Sequence, residues 1–162
     1  WNTNIKDIPK SDILFGHFEI ETFKMNSYKV CEDGLKIKDL LKKSSLVISG
    51  HFHTRHLKKF GRGTILYVGN PFQMDFGDVD NTKGYYVLNL DDMEYEFFPN
   101  NVSPNYKKIS LSELVREGNI TSRVIGLVTN NIVKLEFVNL LEIKNKKEII
   151  DYTLGLYEKS KL

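Results

Sequence analysis

The sequence predicts a mixed α/β fold of the α+β kind, on three observations. Short apolar runs of strand length alternate with stretches of helical periodicity. Two of those apolar runs end in the same dipeptide, Gly16-His17 and Gly50-His51. A turn-rich stretch, Asn100-Asn101-Val102-Ser103-Pro104-Asn105, then separates a first set of elements from a smaller second set.

Taken in order, residues 12–17 are apolar and β-prone, so a strand there delivers His17 into the loop at its C-terminal end. Asp33 is an N-cap candidate for a helix over 34–43, with Ile37, Leu40 and Leu41 on one face. Leu46-Val47-Ile48 reads as a short buried strand that opens at Ser49-Gly50-His51. Strands are expected at 64–68, 84–90 and 93–98, the last two joined by a turn at Asp91-Asp92. Gly77-Asp78-Val79-Asp80 reads as a polar turn ahead of them. Beyond Pro104, Ser110 and Glu113 make a capping box for a helix stopped at Gly118. Strands are expected at 123–129 and 132–138, and Asn145 with Glu148 caps a last helix whose core face is Ile149, Ile150, Thr153, Leu154 and Tyr157. The domain division expected is 1–100 and 101–162.

With 41% hydrophobic and 27% charged residues in 162, the composition is that of an ordinary globular protein and excludes a disordered tail. No apolar run approaches the roughly 18 residues a bilayer span needs, and no basic segment followed by an apolar one opens the chain, so a cytoplasmic protein is expected. The one cysteine, Cys31, cannot form an internal disulfide, which suits a reducing compartment. A net charge of +2 leaves any nucleic-acid contact to local basic patches. The opening residues, from Trp1 to Lys10, read like the middle of a longer chain, and upstream sequence is expected.

All four histidines lie between His17 and His56. In Gly50-His51-Phe52-His53, extended backbone would point both imidazoles one way and Phe52 into the core. His17 follows a second strand in the equivalent place, and ligands of α/β sheets gather beyond the carboxyl ends of strands. Three imidazoles could thus converge on a metal. A single histidine after a strand is more often a hydrogen-bonded loop residue, and His56, set among Arg55, Lys58, Lys59 and Arg62, reads as part of a basic loop. Those cations could contact DNA phosphates, or the loop could be a solvated hairpin tip.

Leu14-Phe15-Gly16-His17-Phe18-Glu19-Ile20, Ser49-Gly50-His51-Phe52-His53-Thr54 and Tyr67-Val68-Gly69-Asn70-Pro71-Phe72-Gln73 closely resemble the nuclease subunits of the T-even-phage and SbcD type, a DNA double-strand-break repair branch of the calcineurin-like metallophosphoesterases. Phe76-Gly77-Asp78 and Lys83-Gly84-Tyr85-Tyr86 match the same group, and the resemblance covers roughly residues 1–109. It implies the C-terminal half of a two-sheet sandwich flanked by helices, followed by the start of a small α/β capping subdomain that binds DNA. It further implies that His17 and His51 bind one of two divalent ions, manganese or magnesium, and His53 the other. Such a pair activates a water and clamps the scissile phosphate.

The Asp-x-His, Gly-Asp-x-x-Asp and Gly-Asn-His blocks that complete such a centre do not occur in this chain, so it is expected to be inactive alone. Its expected partners are DNA, an SMC-like coiled-coil ATPase, and the missing N-terminal half of the nuclease, or a second copy, to cover the open sheet. Two alternatives share the Gly-His-x-His chemistry or scaffold: a small-molecule phosphatase or phosphodiesterase, and a non-catalytic interaction domain.

Overall fold

The computed structural model describes residues 4–25, 29–110 and 125–137, together with Lys147, Asp151, Gly155 and Glu158. The mixed α/β class expected from the sequence is what it contains: three small sheets and little helix among the described residues. The chain divides into two compact units, Trp1–Phe72 with Asp80–Asn101, and Gln73–Val79 with Val102–Leu162.

The first unit is built on a four-stranded sheet of β1 (Ile13–Gly16), β2 (Leu46–Ser49), β3 (His56–Phe60) and β4 (Gly63–Tyr67), in the order β1-β2-β4-β3. β1, β2 and β4 run parallel and β3 returns antiparallel along the edge of β4. The register sets Leu14, Val47 and Ile65 side by side, and the next row is Phe15, Ile48, Leu66 and Leu57. Because side chains alternate across a sheet, these rows face opposite ways. The first row joins Ile20, Phe23, Leu40, Phe52 and Tyr67 in the buried core. In the second, Leu66 is buried, whereas Phe15 and Leu57 at its two ends are 63% and 46% exposed.

α1 (Ile37–Leu41) places Leu40 in the core, with Ile37 and Leu41 packed at its margin. It begins later than the sequence suggests, with Lys36 at the N-cap and no side-chain cap bond, so Asp33 is not its cap. The reason lies in a distant segment. Leu35 N–H donates to Glu19 O at 2.7 Å and Glu21 N–H donates to Leu35 O at 3.1 Å, holding this stretch extended against residues 19–21. Gly34 belongs to that contact, since a Cβ there would lie 2.7 Å from backbone atoms of residues 19 to 21.

β3 corrects a second expectation, because the basic loop is a strand. It turns through Gly61 (φ +59) into β4. A hairpin of β5 (Gly84–Leu88) and β6 (Tyr95–Pro99) completes the unit, joined by turn residues 90–92 as expected. Cys31 is a buried free thiol, and burial pushes its pKa up.

In the second unit, β7 (Asn105–Ser110) and β8 (Asn131–Glu136) pair in parallel, with Ile109 packed on Leu127, Val128, Val133 and Leu135. β8 overlaps the strand expected at 132–138, beginning one residue earlier and ending two residues sooner. Residues 125–128 are helical where a strand was expected; Thr129 N–H closes an i−4 bond to Ile125 O at 3.0 Å, with its hydroxyl on the same oxygen at 2.7 Å. The turn at Gly77-Asp78-Val79-Asp80 is present, with Asp78 buried and accepting from Met74 N at 2.9 Å. The capping box at Ser110 and Glu113 and the helix to Gly118 fall largely outside the described residues, as do Ile149, Ile150, Thr153, Leu154 and Tyr157; Lys147, Asp151, Gly155 and Glu158 are helical and exposed. Among the described residues no helix is long and apolar enough to cross a membrane.

Candidate metal centre

β1 and β2 lie side by side, so their two Gly-His ends emerge together: Gly50 N–H donates to Gly16 O at 2.9 Å. His17 and His51 then meet edge to face, with ring centroids 5.0 Å apart. Gly50 makes that approach possible, because a Cβ at this position would stand 2.9 Å from His17 Nδ1.

His51 itself has φ +88, a conformation that non-glycine residues rarely adopt. Strain of this kind persists only where surrounding contacts hold it, and it concentrates at functional sites. Here the contacts can be named. His51 Nε2 is 2.9 Å from Glu19 Oε1, and the His51 ring lies against Phe52. Phe52 is buried and stacked on Tyr67 at 4.8 Å.

The loop carrying His17 and Glu19 is clamped between them, at Phe18. Phe18 N–H donates to Ser49 Oγ at 3.0 Å, and Tyr67 O–H donates to Phe18 O at 2.7 Å. Both partners are fully buried. Burial also pushes the Tyr67 hydroxyl far above its ordinary pKa, so it stays a donor.

His53 is placed differently from expectation. Phe52 does turn into the core, but β2 stops at Ser49 and His51 is not extended, so the alternation that would align His51 with His53 is broken. His53 is exposed, and among the described residues no three His, Cys, Asp or Glu side chains are grouped to hold a metal ion. His17 and His51 are thus paired at adjacent strand ends, and among the described residues that pair belongs to no group of three that could hold a metal ion.

What anchors His53 is its carbonyl, which accepts from Lys83 Nζ at 2.7 Å and from Asn70 N at 3.2 Å. Gly69, at φ +71, lets this segment pass close by: a Cβ there would lie 3.1 Å from His53 O and 3.0 Å from Arg55 N. Lys83 is 6% exposed. The Gly-Asn-Pro and Lys-Gly strings therefore brace the histidine loop. Sequence spacing gave no sign of that role.

The four cations noted in the sequence do not form one patch. Arg55 lies over the Phe97 ring at 3.8 Å and donates to Tyr86 Oη at 3.2 Å. Lys58 donates to Thr22 O at 2.7 Å and covers Phe23 at 4.4 Å. Lys59, next along β3, points to the other face, and Arg62 is exposed in the turn. His56 shares the Lys58 face, edge-on to Phe23. Its Nε2 is buried with no hydrogen-bond partner among the described residues. Burial first, then Lys58 and Lys24, lowers its pKa.

An open cavity of about 430 Å³ lies on the sheet face away from the core, lined by Phe15, Ile48, Val68, Pro71, Tyr85 and Leu88 among others. Its walls are mainly apolar side chains.

No family model matches the chain. Exonuclease subunit 1 of Enterobacteria phage T4 is 30% identical to it over 129 residues, a match that takes in 75% of this chain and 35% of the phage protein. The chain thus spans about a third of the length of the curated relative it matches, and is related in sequence to a phage nuclease subunit.

Proposed function

We propose that this chain is part of a metal-dependent DNA nuclease, cutting as an exonuclease or endonuclease in recombination and double-strand-break repair, to which it contributes His17, His51 and His53. The observation that carries this is the likeness to a phage exonuclease subunit over three quarters of the chain. The meeting of His17 and His51 at adjacent strand ends supports it. Two divalent ions, manganese or magnesium, would supply an activated water and charge for the scissile phosphate. Imidazoles mixed with carboxylates suit manganese or a similar divalent ion.

The chain's own part is to present imidazoles from a rigid frame. Bridging carboxylates would come from the upstream half of the nuclease, and the chain alone would be inactive. The apolar row through Phe15 and Leu57 gives that half, or a second copy, a surface to cover. An SMC-like coiled-coil ATPase is the further partner proposed, and the cytoplasm the compartment.

The test is cleavage of linear DNA by the full native polypeptide with Mn²⁺ or Mg²⁺. Chelator-sensitive cleavage that falls at least 100-fold in both His17→Ala and His51→Ala is expected. Metal-independent cleavage, or full activity in both variants, would sink the proposal.

A further inference from the structure

We infer that Glu19 is a positioning residue: its carboxylate fixes the neutral His51 ring as the Nε2–H tautomer and so leaves Nδ1 as the nitrogen available to a metal. This rests on the reading of His51 as a metal ligand.

The bond at 2.9 Å between His51 Nε2 and Glu19 Oε1 has only one sense when the carboxylate is ionised, since a carboxylate accepts and cannot donate. The ring nitrogen that faces it must carry the hydrogen. A neutral imidazole has one N–H, so the lone pair suited to a metal sits on Nδ1. Carboxylates that bind the outer nitrogen of a ligand histidine fix its tautomer, orient the ring and raise its basicity.

Glu19 is half exposed, and an ion pair that open to solvent is ordinarily weak. Its backbone is not free to wander, however. Glu19 O accepts from Leu35 N at 2.7 Å, and the preceding residue is held at both backbone groups by Ser49 and Tyr67. The carboxylate is carried by a backbone fixed from three elements, so less entropy is lost when it meets His51. The ring it meets belongs to a residue at φ +88, whose direction ordinary strand geometry does not set.

The experiment is ring-nitrogen NMR on the metal-free, histidine-labelled intact protein above pH 8, with Mn²⁺ affinity read from the free-ion EPR signal. Wild type should show His51 as the Nε2–H tautomer. Glu19→Ala should shift it to a mixture and weaken Mn²⁺ about 10- to 100-fold. Glu19→Gln, whose amide oxygen can accept the same bond, should keep the tautomer and most of the affinity. An Nδ1–H tautomer in wild type, or a Glu19→Ala protein unchanged in both readouts, overturns the inference. A Glu19-dependent Nε2–H tautomer in a protein that takes up no Mn²⁺ supports the role of Glu19 in fixing the ring and overturns the metal reading of the site.

Discussion

Lys83 Nζ lies 2.7 Å from the carbonyl oxygen of His53, thirty positions away in the chain, so the first residue before the β5–β6 hairpin holds the loop that carries the paired histidines. The ammonium is almost wholly buried, and hydrogen bonds from charged donors contribute about 1.5–3 kcal/mol. Lys83→Met, which keeps the stem and removes the donors, should cost about 2 kcal/mol. Urea unfolding would measure it. Amide exchange should quicken around residues 53–55, and a uniform loss of protection across the molecule would contradict a local brace.

Tyr67 and Ser49 hold opposite sides of one peptide residue, Phe18. Tyr67→Phe leaves a carbonyl, and Ser49→Ala an N–H, without its partner; each should cost about 1–3 kcal/mol. Residues sharing one partner do not act independently. The double variant should therefore cost less than the sum, since Phe18 is already loosened after the first change. Strict additivity in thermal unfolding would show that the two bonds do not clamp a common element.

Gly50 and Gly84 separate a site effect from a fold effect. A Cβ at Gly50 meets the Nδ1 edge of the exposed His17 ring, a surface side chain that can swing away. Gly50→Ala should keep most of the stability while parting His17 from His51, with Mn²⁺ affinity at least 10-fold weaker. A Cβ at Gly84 would stand 2.0 Å from Phe98 O, backbone that cannot yield without opening the β5–β6 pairing. Gly84→Ala should unfold the hairpin or fail to accumulate. Equal losses of stability in the two would contradict this division.

His56 makes stability depend on pH. Its folded pKa lies below the ordinary 6.5, because the ring is buried beside Lys58 and Lys24, and its buried Nε2 meets no acceptor among the described residues. The unfolded chain therefore binds the proton more readily. Full stability holds above about pH 6.5 and declines as the pH falls from there through the folded pKa. Replacing His56 with Gln should flatten the unfolding midpoint between pH 7.5 and 5 relative to wild type; an unchanged slope would clear His56 of the effect.

The local apolar runs made β1, β2, β4, β5 and β6 legible to within a few residues, because a strand buried on one or both faces writes its burial into its own composition. β3 was hidden for the opposite reason: Lys58 and Lys59 mark a sheet edge, where lysine is favoured and apolar alternation is not required. The start of α1 failed where Leu35 pairs with Glu19 and Glu21, a contact that no local pattern announces. The site divides in the same way. The Gly-His pairs could be read from spacing after a strand, whereas Glu19, Tyr67 and Lys83 act across thirty positions or more and are visible only when the chain is folded.

Strand alternation also decides which cations could serve a DNA backbone. Arg55 is stacked on Phe97 and bound to Tyr86, and Lys58 is held by Thr22 over Phe23, so both are drawn into packing. Lys59 and Arg62 are exposed, and no hydrogen bond or ion pair within the described residues occupies them. If the proposed nuclease uses this edge, removing Lys59 and Arg62 together should lower DNA affinity at low salt and reduce the dependence of log K on log salt by about two. Lys58→Ala should instead act on the fold, lowering the unfolding midpoint through its lost contacts with Phe23 and Thr22 while leaving the salt slope within about half a unit. Arg55→Ala should behave like Lys58→Ala. Measuring affinity across a salt series for all three variants separates the pairs, because a phosphate contact changes the slope and a packing contact changes only the amount of folded protein. A slope altered by Lys58→Ala and untouched by the Lys59 and Arg62 changes would reverse the assignment and put the DNA on the Phe23 side of the strand.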